Sequence, residues 1–117
     1  MASANPGTSD LFLVDVVQVD DDRAGAYLRA IEELAVPVMT AAGASLESCR
    51  SAGSGLGVEV DIEVVWRVRD FAHWNLIRRN LVLDPRWYTW AQRAAGLRRG
   101  GTRRMMVDTF PPTPPGS

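Results

Sequence analysis

The sequence predicts a single α+β domain in which four antiparallel strands carry their helices on one face. Three observations lead there. The chain has 117 residues, 46% hydrophobic and 23% charged, enough for one buried core and too few for two. Residues Val58 to Arg69 alternate apolar and polar side chains with a period of two, a pattern that belongs to a half-buried strand and not to a helix. Around that stretch, β-branched runs and helical-period runs succeed one another in the order β-α-β-β-α-α-β.

In chain order, residues 1–10 are small and polar and are expected to be disordered. Leu11 to Val19 is β-branched and apolar, broken only by Asp15 and Gln18, and reads as a strand buried on both faces. Asp20, Asp21 and Asp22 crowd a helix N-terminus, where carboxylates meet free N–H groups and the positive end of the dipole. Tyr27, Leu28, Ile31, Leu34, Ala35 and Val38 then recur at helical spacing. Pro37 should kink this helix or end its regular part, and Gly43 should stop it. Ala44 to Ser51 is a short strand candidate. Gly53-Ser54-Gly55-Leu56-Gly57 resembles a fragment of a dinucleotide-binding loop, but such a loop must open a helix, and here a strand follows. It is read as a hairpin connection.

The alternating strand puts Val58, Val60, Ile62, Val64, Trp66 and Val68 on one face. Glu59, Asp61, Glu63, Arg67 and Arg69 occupy the other, with Val65 among them. Asp70 caps a second helix through Phe71, Trp74, Ile77, Arg78 and Leu81. Asp84-Pro85 starts a third, an N-cap followed by proline at the first helical position. That helix sets Trp87, Trp90, Ala91 and Ala94 along one stripe and should end at Gly96 or Gly100. Arg103 to Phe110 closes the domain, which spans residues 11–110. Residues 111–117 form a Pro-rich, extended tail.

With the second and third helices counted as one broken crossover, the order is the split βαβ, or ferredoxin-like, arrangement. Helices on one side leave the other sheet face bare. A second copy of the chain is the expected cover, giving a homodimer.

Composition removes several function classes. A formal net charge of -1 gives no reason to expect nucleic acid or an acidic membrane as partner. All 13 basic residues are arginine, so Schiff-base chemistry and a lysine-anchored pyridoxal cofactor are out of reach. Cys49 is the single cysteine, which rules out an internal disulfide and a thiolate cluster within one chain. No run approaches the length of a membrane helix, and the N-terminus lacks the features of a signal peptide. A cytoplasmic protein is expected. No spacing of His, Asp and Glu suggests a metal, no cofactor motif stands out, and no nucleophile elbow accompanies the serines.

Trp66-Arg67-Val68-Arg69-Asp70-Phe71-Ala72-His73-Trp74, then Arg78, then Asp84-Pro85-Arg86-Trp87, resembles the NIPSNAP-like branch of the dimeric α+β barrel superfamily. The resemblance implies a ferredoxin-like fold whose open sheet face meets a partner and whose pocket lies between sheet and helices. It implies no single reaction, since the superfamily holds cofactor-independent monooxygenases, polyketide cyclases, haem-degrading oxygenases and proteins of unknown activity.

The carboxylate row Glu59, Asp61 and Glu63 supplies the acid/base candidates. Alternate residues of a strand lie about 6.6 Å apart, and crowding in a closed site would raise one carboxyl while another stays ionised. Asp15 joins them if it shares their face. The competing reading is a solvated or interface face, with Arg67, Arg69, Arg103 or Arg104 neutralising the acids. Tyr27, Trp66, Trp74 and Tyr88 are candidates to shape a pocket, the tyrosines donating to substrate oxygen. Arg78 could hold a substrate carbonyl or carboxylate, and His73, the only histidine, serves any imidazole role. Together these suggest a cofactor-independent cyclase, isomerase, ring-opening enzyme or hydratase acting on a small apolar oxygenated substrate. The alternatives are a non-catalytic dimer that binds a small molecule or protein, and a cofactor-independent monooxygenase that depends on Trp66.

Overall fold

The computed structural model describes residues 10–53 and 59–109. Within them the chain forms β1 (Leu11–Asp20), α1 (Asp21–Ala30), a π-helical turn (Ile31–Ala35), α2 (Val36–Ala42), β2 (Ser45–Gly53), β3 (Glu59–Val68), α3 (Phe71–Val82), α4 (Pro85–Leu97) and β4 (Arg98–Val107). The strands make one antiparallel sheet in the order β2-β3-β1-β4, the ferredoxin-like topology. The two strands with the strongest apolar patterns, β1 and β3, occupy its centre.

Register sorts the side chains, because opposed residues share a face. β1 and β3 pair without a slip from Leu11 opposite Val68 to Asp20 opposite Glu59. Leu11, Leu13, Val17 and Val19 therefore join Val60, Ile62, Val64, Trp66 and Val68 beneath the helices, each at most 5% exposed. The other face carries Phe12, Val14, Val16, Val65 and the acids of β3, and these are half-buried or exposed. The expectation that β1 is buried on both faces thus holds for one face of a single chain, because every helix lies on the same side. The molecule is 19 Å thick in its shortest direction, the depth of two layers.

The helices complete the core with Tyr27, Ile31, Ala35, Val38, Met39, Trp74, Ile77, Leu81 and Ala94. Each large side chain buried in this way contributes about 1.5–3 kcal/mol. Pro37 does not break the first helix. The Val36 N–H bonds back five residues to the Ile31 carbonyl, and Pro37 then falls in the first turn of α2, where its missing N–H is not needed. Gly43 ends α2 at φ 117. A side chain there would be strained, and its Cβ would lie 3.1 Å from His73 Nε2. Asp70 and Asp84 cap α3 and α4 as expected, accepting the N–H groups of His73 at 2.7 Å and Arg86 at 2.9 Å.

β4 departs from the sequence expectation. Gly96 lies inside α4, and the strand begins at Arg98, five residues ahead of Arg103. Gly100 and Gly101 are strand residues paired with Gln18 and Val17. A Cβ on Gly101 would stand 3.1 Å from the Val16 carbonyl, so the missing side chain lets β4 lie flat against β1. Residues 1–9, the Ser54–Gly57 portion of the glycine-rich loop, Val58 at the start of the alternating run, Phe110 and the Pro-rich tail lie outside the described residues. Among the described residues no helix is long and apolar enough to cross a membrane.

Candidate functional site

Between sheet and helices lies a cavity of about 420 Å³, within the range of small-molecule sites. Its floor is Val17, Val64 and Trp66. Its roof is the inner stripe of α1 and the π turn (Tyr27, Ile31, Ala35) together with Met39 and the stripe of α4 (Trp87, Trp90, Ala91, Ala94). The π turn widens the helix where it faces the cavity, a common position for such bulges. Tyr27 and Trp90 meet with ring centroids 5.7 Å apart at 58°, a tilted contact that fixes both rings.

The polar members of the lining are Asp15, Arg98, Thr102 and Arg103, with Arg103 and Arg98 set on β4 opposite Asp15 and Val19. Asp15 is the single charge on the helix-facing side of β1. Arg103, directly across from it in register, clamps its carboxylate with Nε to Oδ1 at 2.6 Å and an Nη to Oδ2 at 2.9 Å, the bidentate geometry that suits Arg. The Arg103 guanidinium also lies over the Trp74 ring, 5.4 Å from its centroid, which holds the clamp in place. The bonded carboxylate pushes Arg103 further up from its already basic range.

Tyr27 is 2% exposed. Burial pushes its hydroxyl above the ordinary tyrosine value, while the nearby Arg98 guanidinium pulls the other way and the Asp15 and Cys49 charges add to the rise. The group is therefore a phenol at neutral pH and can donate a hydrogen bond into the cavity.

Tyr27 and Trp66 thus line the cavity, and the buried Trp74 lies against the Arg103 guanidinium. The buried Trp74 Nε1 has no hydrogen-bond partner among the described residues. The carboxylate row of β3 is elsewhere. Glu59, Asp61 and Glu63 stand on the open sheet face because Val60, Ile62 and Val64 turn inward. Gln18 Nε2 donates to Asp61 at 3.4 Å, and Glu63 is 3.8 Å from Arg50. His73 is bound into the α3 cap, its Nδ1 accepting the Arg69 N–H at 3.0 Å. Arg78 reaches Asn75 on its own helix at 3.5 Å. Tyr88 is 58% exposed and donates to the Val82 carbonyl at 3.0 Å, tying α4 to the end of α3.

What residue reasoning did not single out is the Asp15–Arg103 clamp and Arg98. The signal was present. Asp15 falls on the same alternation as Leu11, Leu13, Val17 and Val19, and a charge on an otherwise buried face demands a partner.

No protein-family model matches the sequence, and no curated protein matches it. Solved structures do. A NIPSNAP family protein of unknown function from Agrobacterium tumefaciens superposes with a TM-score of 0.72 at 17% identity, over 86% of this chain and 88% of that one. An uncharacterized NIPSNAP domain protein from Burkholderia xenovorans gives 0.72 at 20% identity, over 88% and 99%. A candidate antibiotic biosynthesis monooxygenase from Caulobacter crescentus gives 0.57 at 7% identity, over 88% and 92%. The fold is that of the NIPSNAP-like, ferredoxin-like structures.

Proposed function

We propose that this protein is a cofactor-independent enzyme that moves a proton on a small, largely apolar oxygenated substrate, with Asp15 as the acid/base group. The observation that carries this reading is that an oriented carboxylate and a buried, protonated tyrosine line one apolar cavity. Each Asp15 oxygen accepts one N–H from Arg103 and retains capacity for a second hydrogen. A substrate carbonyl bound by the Tyr27 hydroxyl would present its neighbouring C–H to Asp15. The proton passes from carbon to carboxylate, negative charge gathers on the carbonyl oxygen under the Tyr27 donor, and the proton returns at another atom. Cyclisation, isomerisation and ring opening all use that sequence. The acid/base role sought in the β3 carboxylates is assigned here to the carboxylate that faces the cavity.

The test begins with a thermal-shift panel of apolar ketones, epoxides, lactones and phenols, followed by turnover of the chemotype that binds. Asp15→Asn keeps the shape and removes the base, so the rate should fall by about 10²–10⁴, while Asp61→Asn on the open face should leave it unchanged. An unchanged rate in Asp15→Asn removes the assignment.

Trp66, at 3% exposure on the cavity floor, supports a second reading as a cofactor-independent monooxygenase. That reading expects oxygen consumption with an electron-rich phenol, lost in Trp66→Phe and retained in Asp15→Asn. In both readings two copies pair through the open face, where Phe12, Val14, Val16 and Val65 form an apolar strip that a single chain leaves half-exposed.

A further inference from the structure

We infer that Arg98 makes the cavity selective for carboxylates: small molecules with an apolar body and one anionic group, held at the mouth by this guanidinium. The inference rests on reading the cavity as a substrate site and adds the charge of the substrate to that reading.

The placement of Arg98 comes from a defect in the sheet. Gly100 pairs with Gln18, whose side belongs to the open face, so regular alternation would set Arg99 opposite Val19 and turn Arg98 away from the cavity. Instead the register slips, and Arg98 is the residue opposite Val19. Val19 is fully buried on the helix side, so the extra residue moves Arg98 onto the cavity face. Bulges re-aim side chains in this way next to functional sites. The displaced Arg99 pairs with Asp20.

Charge bookkeeping then separates Arg98 from its neighbours. Arg103 is neutralised by Asp15, Arg99 is engaged by Asp20, and Arg23 donates to the Gly96 carbonyl at 3.0 Å. Arg98 has no carboxylate within ion-pair distance among the described residues; its neighbour is the Tyr27 hydroxyl, which is uncharged and leaves the charge of the guanidinium unbalanced. The cavity lining holds two guanidiniums and one carboxylate, a net charge of +1 that one anionic group would balance. Arg98 is exposed, whereas Ile31, Ala35 and Trp66 of the same lining are buried, which sets the order of the ligand: anion at the exposed guanidinium, hydrocarbon inside. An Arg fork binds a carboxylate through paired N–H donors.

Calorimetry on the full-length protein with 2-naphthylacetate and its uncharged analogue 2-naphthylacetamide tests this. The acid should bind about tenfold more tightly than the amide, the size of one charge-assisted contact at a partly wet site. Arg98→Gln should remove the preference while amide affinity stays within about twofold, and Arg98→Lys should restore part of it. Equal affinities in the wild type overturn the inference, and so does a preference that survives Arg98→Gln, which would put the anion on Arg103. Binding of neither probe overturns it together with the substrate-site reading. The proton-transfer reading fails separately, through unchanged turnover in Asp15→Asn, which the acid-to-amide ratio does not measure.

Discussion

Ala94→Leu distinguishes a built binding chamber from a packing fault. Ala94 is 2% exposed and sits on the cavity-facing stripe of α4. A sealed, empty void of about 420 Å³ would cost about 10 kcal/mol at roughly 24 cal/mol per Å³. That is comparable with the whole stability of a domain, about 5–15 kcal/mol. The cavity is therefore a chamber open to exchange at its rim, where Ala91 and Arg98 are exposed, and a side chain can fill it without displacing the core. Leucine adds three carbons, worth about 2.4 kcal/mol at about 0.8 per buried group. Lost rotamer freedom takes back roughly 0.5–1 kcal/mol. The net gain is about 1.5 kcal/mol, and at roughly 2.1 cal/mol/K per residue the melting temperature should rise by about 6 °C. The same leucine occupies ligand space, so affinity for 2-naphthylacetate should fall at least about tenfold. Differential scanning calorimetry and titration calorimetry on one preparation read both effects. A melting temperature lowered by several degrees with probe binding intact would show that Ala94 is tightly packed and that the chamber is not where ligands sit.

Tyr27→Phe should flatten the alkaline limb of the stability curve. Burial raises the folded-state value of Tyr27, so its contribution is whole below the ordinary tyrosine value of about 10 and is lost as pH climbs through the raised one. The chain has no lysine to titrate in that range. Cys49, also raised by burial, adds a decline of the same sign and is best replaced by Ser in both proteins. Urea midpoints between about pH 9 and 11 decide the matter, and an equal decline with and without the Tyr27 hydroxyl removes it as the cause. Val16→Asp, set beside Glu63 at the centre of the open face, should turn a dimer into a monomer by sedimentation, and a wild type that already sediments as a monomer ends the pairing reading. Gly43→Ala should cost about 1–2 kcal/mol in a denaturant melt, since alanine must adopt a left-handed backbone and its Cβ crowds His73. A neutral outcome would mean that the end of α2 relaxes at little cost.

Much of this fold is legible in the sequence because its signals are local. The alternation of β3 survives into the structure residue by residue, and Asp70 and Asp84-Pro85 mark two helix starts where the backbone places them. β4 was harder to read. Its first half, Arg98-Arg99-Gly100-Gly101, has no strand-forming residue and looks like the end of a helix. It is a strand because β1 offers a ladder beside it that the glycines can approach closely, and that ladder is not local to the segment.

The site was obscured by a related asymmetry. Alternation tells which residues of a strand share a face but not which face the helices will cover, and three carboxylates in a row attract attention by number. The apolar partners of those carboxylates decide the question. A strand with Val60, Ile62, Val64 and Trp66 on one side must turn that side to the core, which sends Glu59, Asp61 and Glu63 outward however suggestive their spacing. The informative charge is the one that breaks its own face. Asp15 interrupts Leu11, Leu13, Val17 and Val19, and holding it there requires Arg103 at 2.6 Å and the Trp74 ring beneath the guanidinium. A charge kept where burial opposes it needs a compensating arrangement. In this protein that arrangement and the cavity occupy the same place.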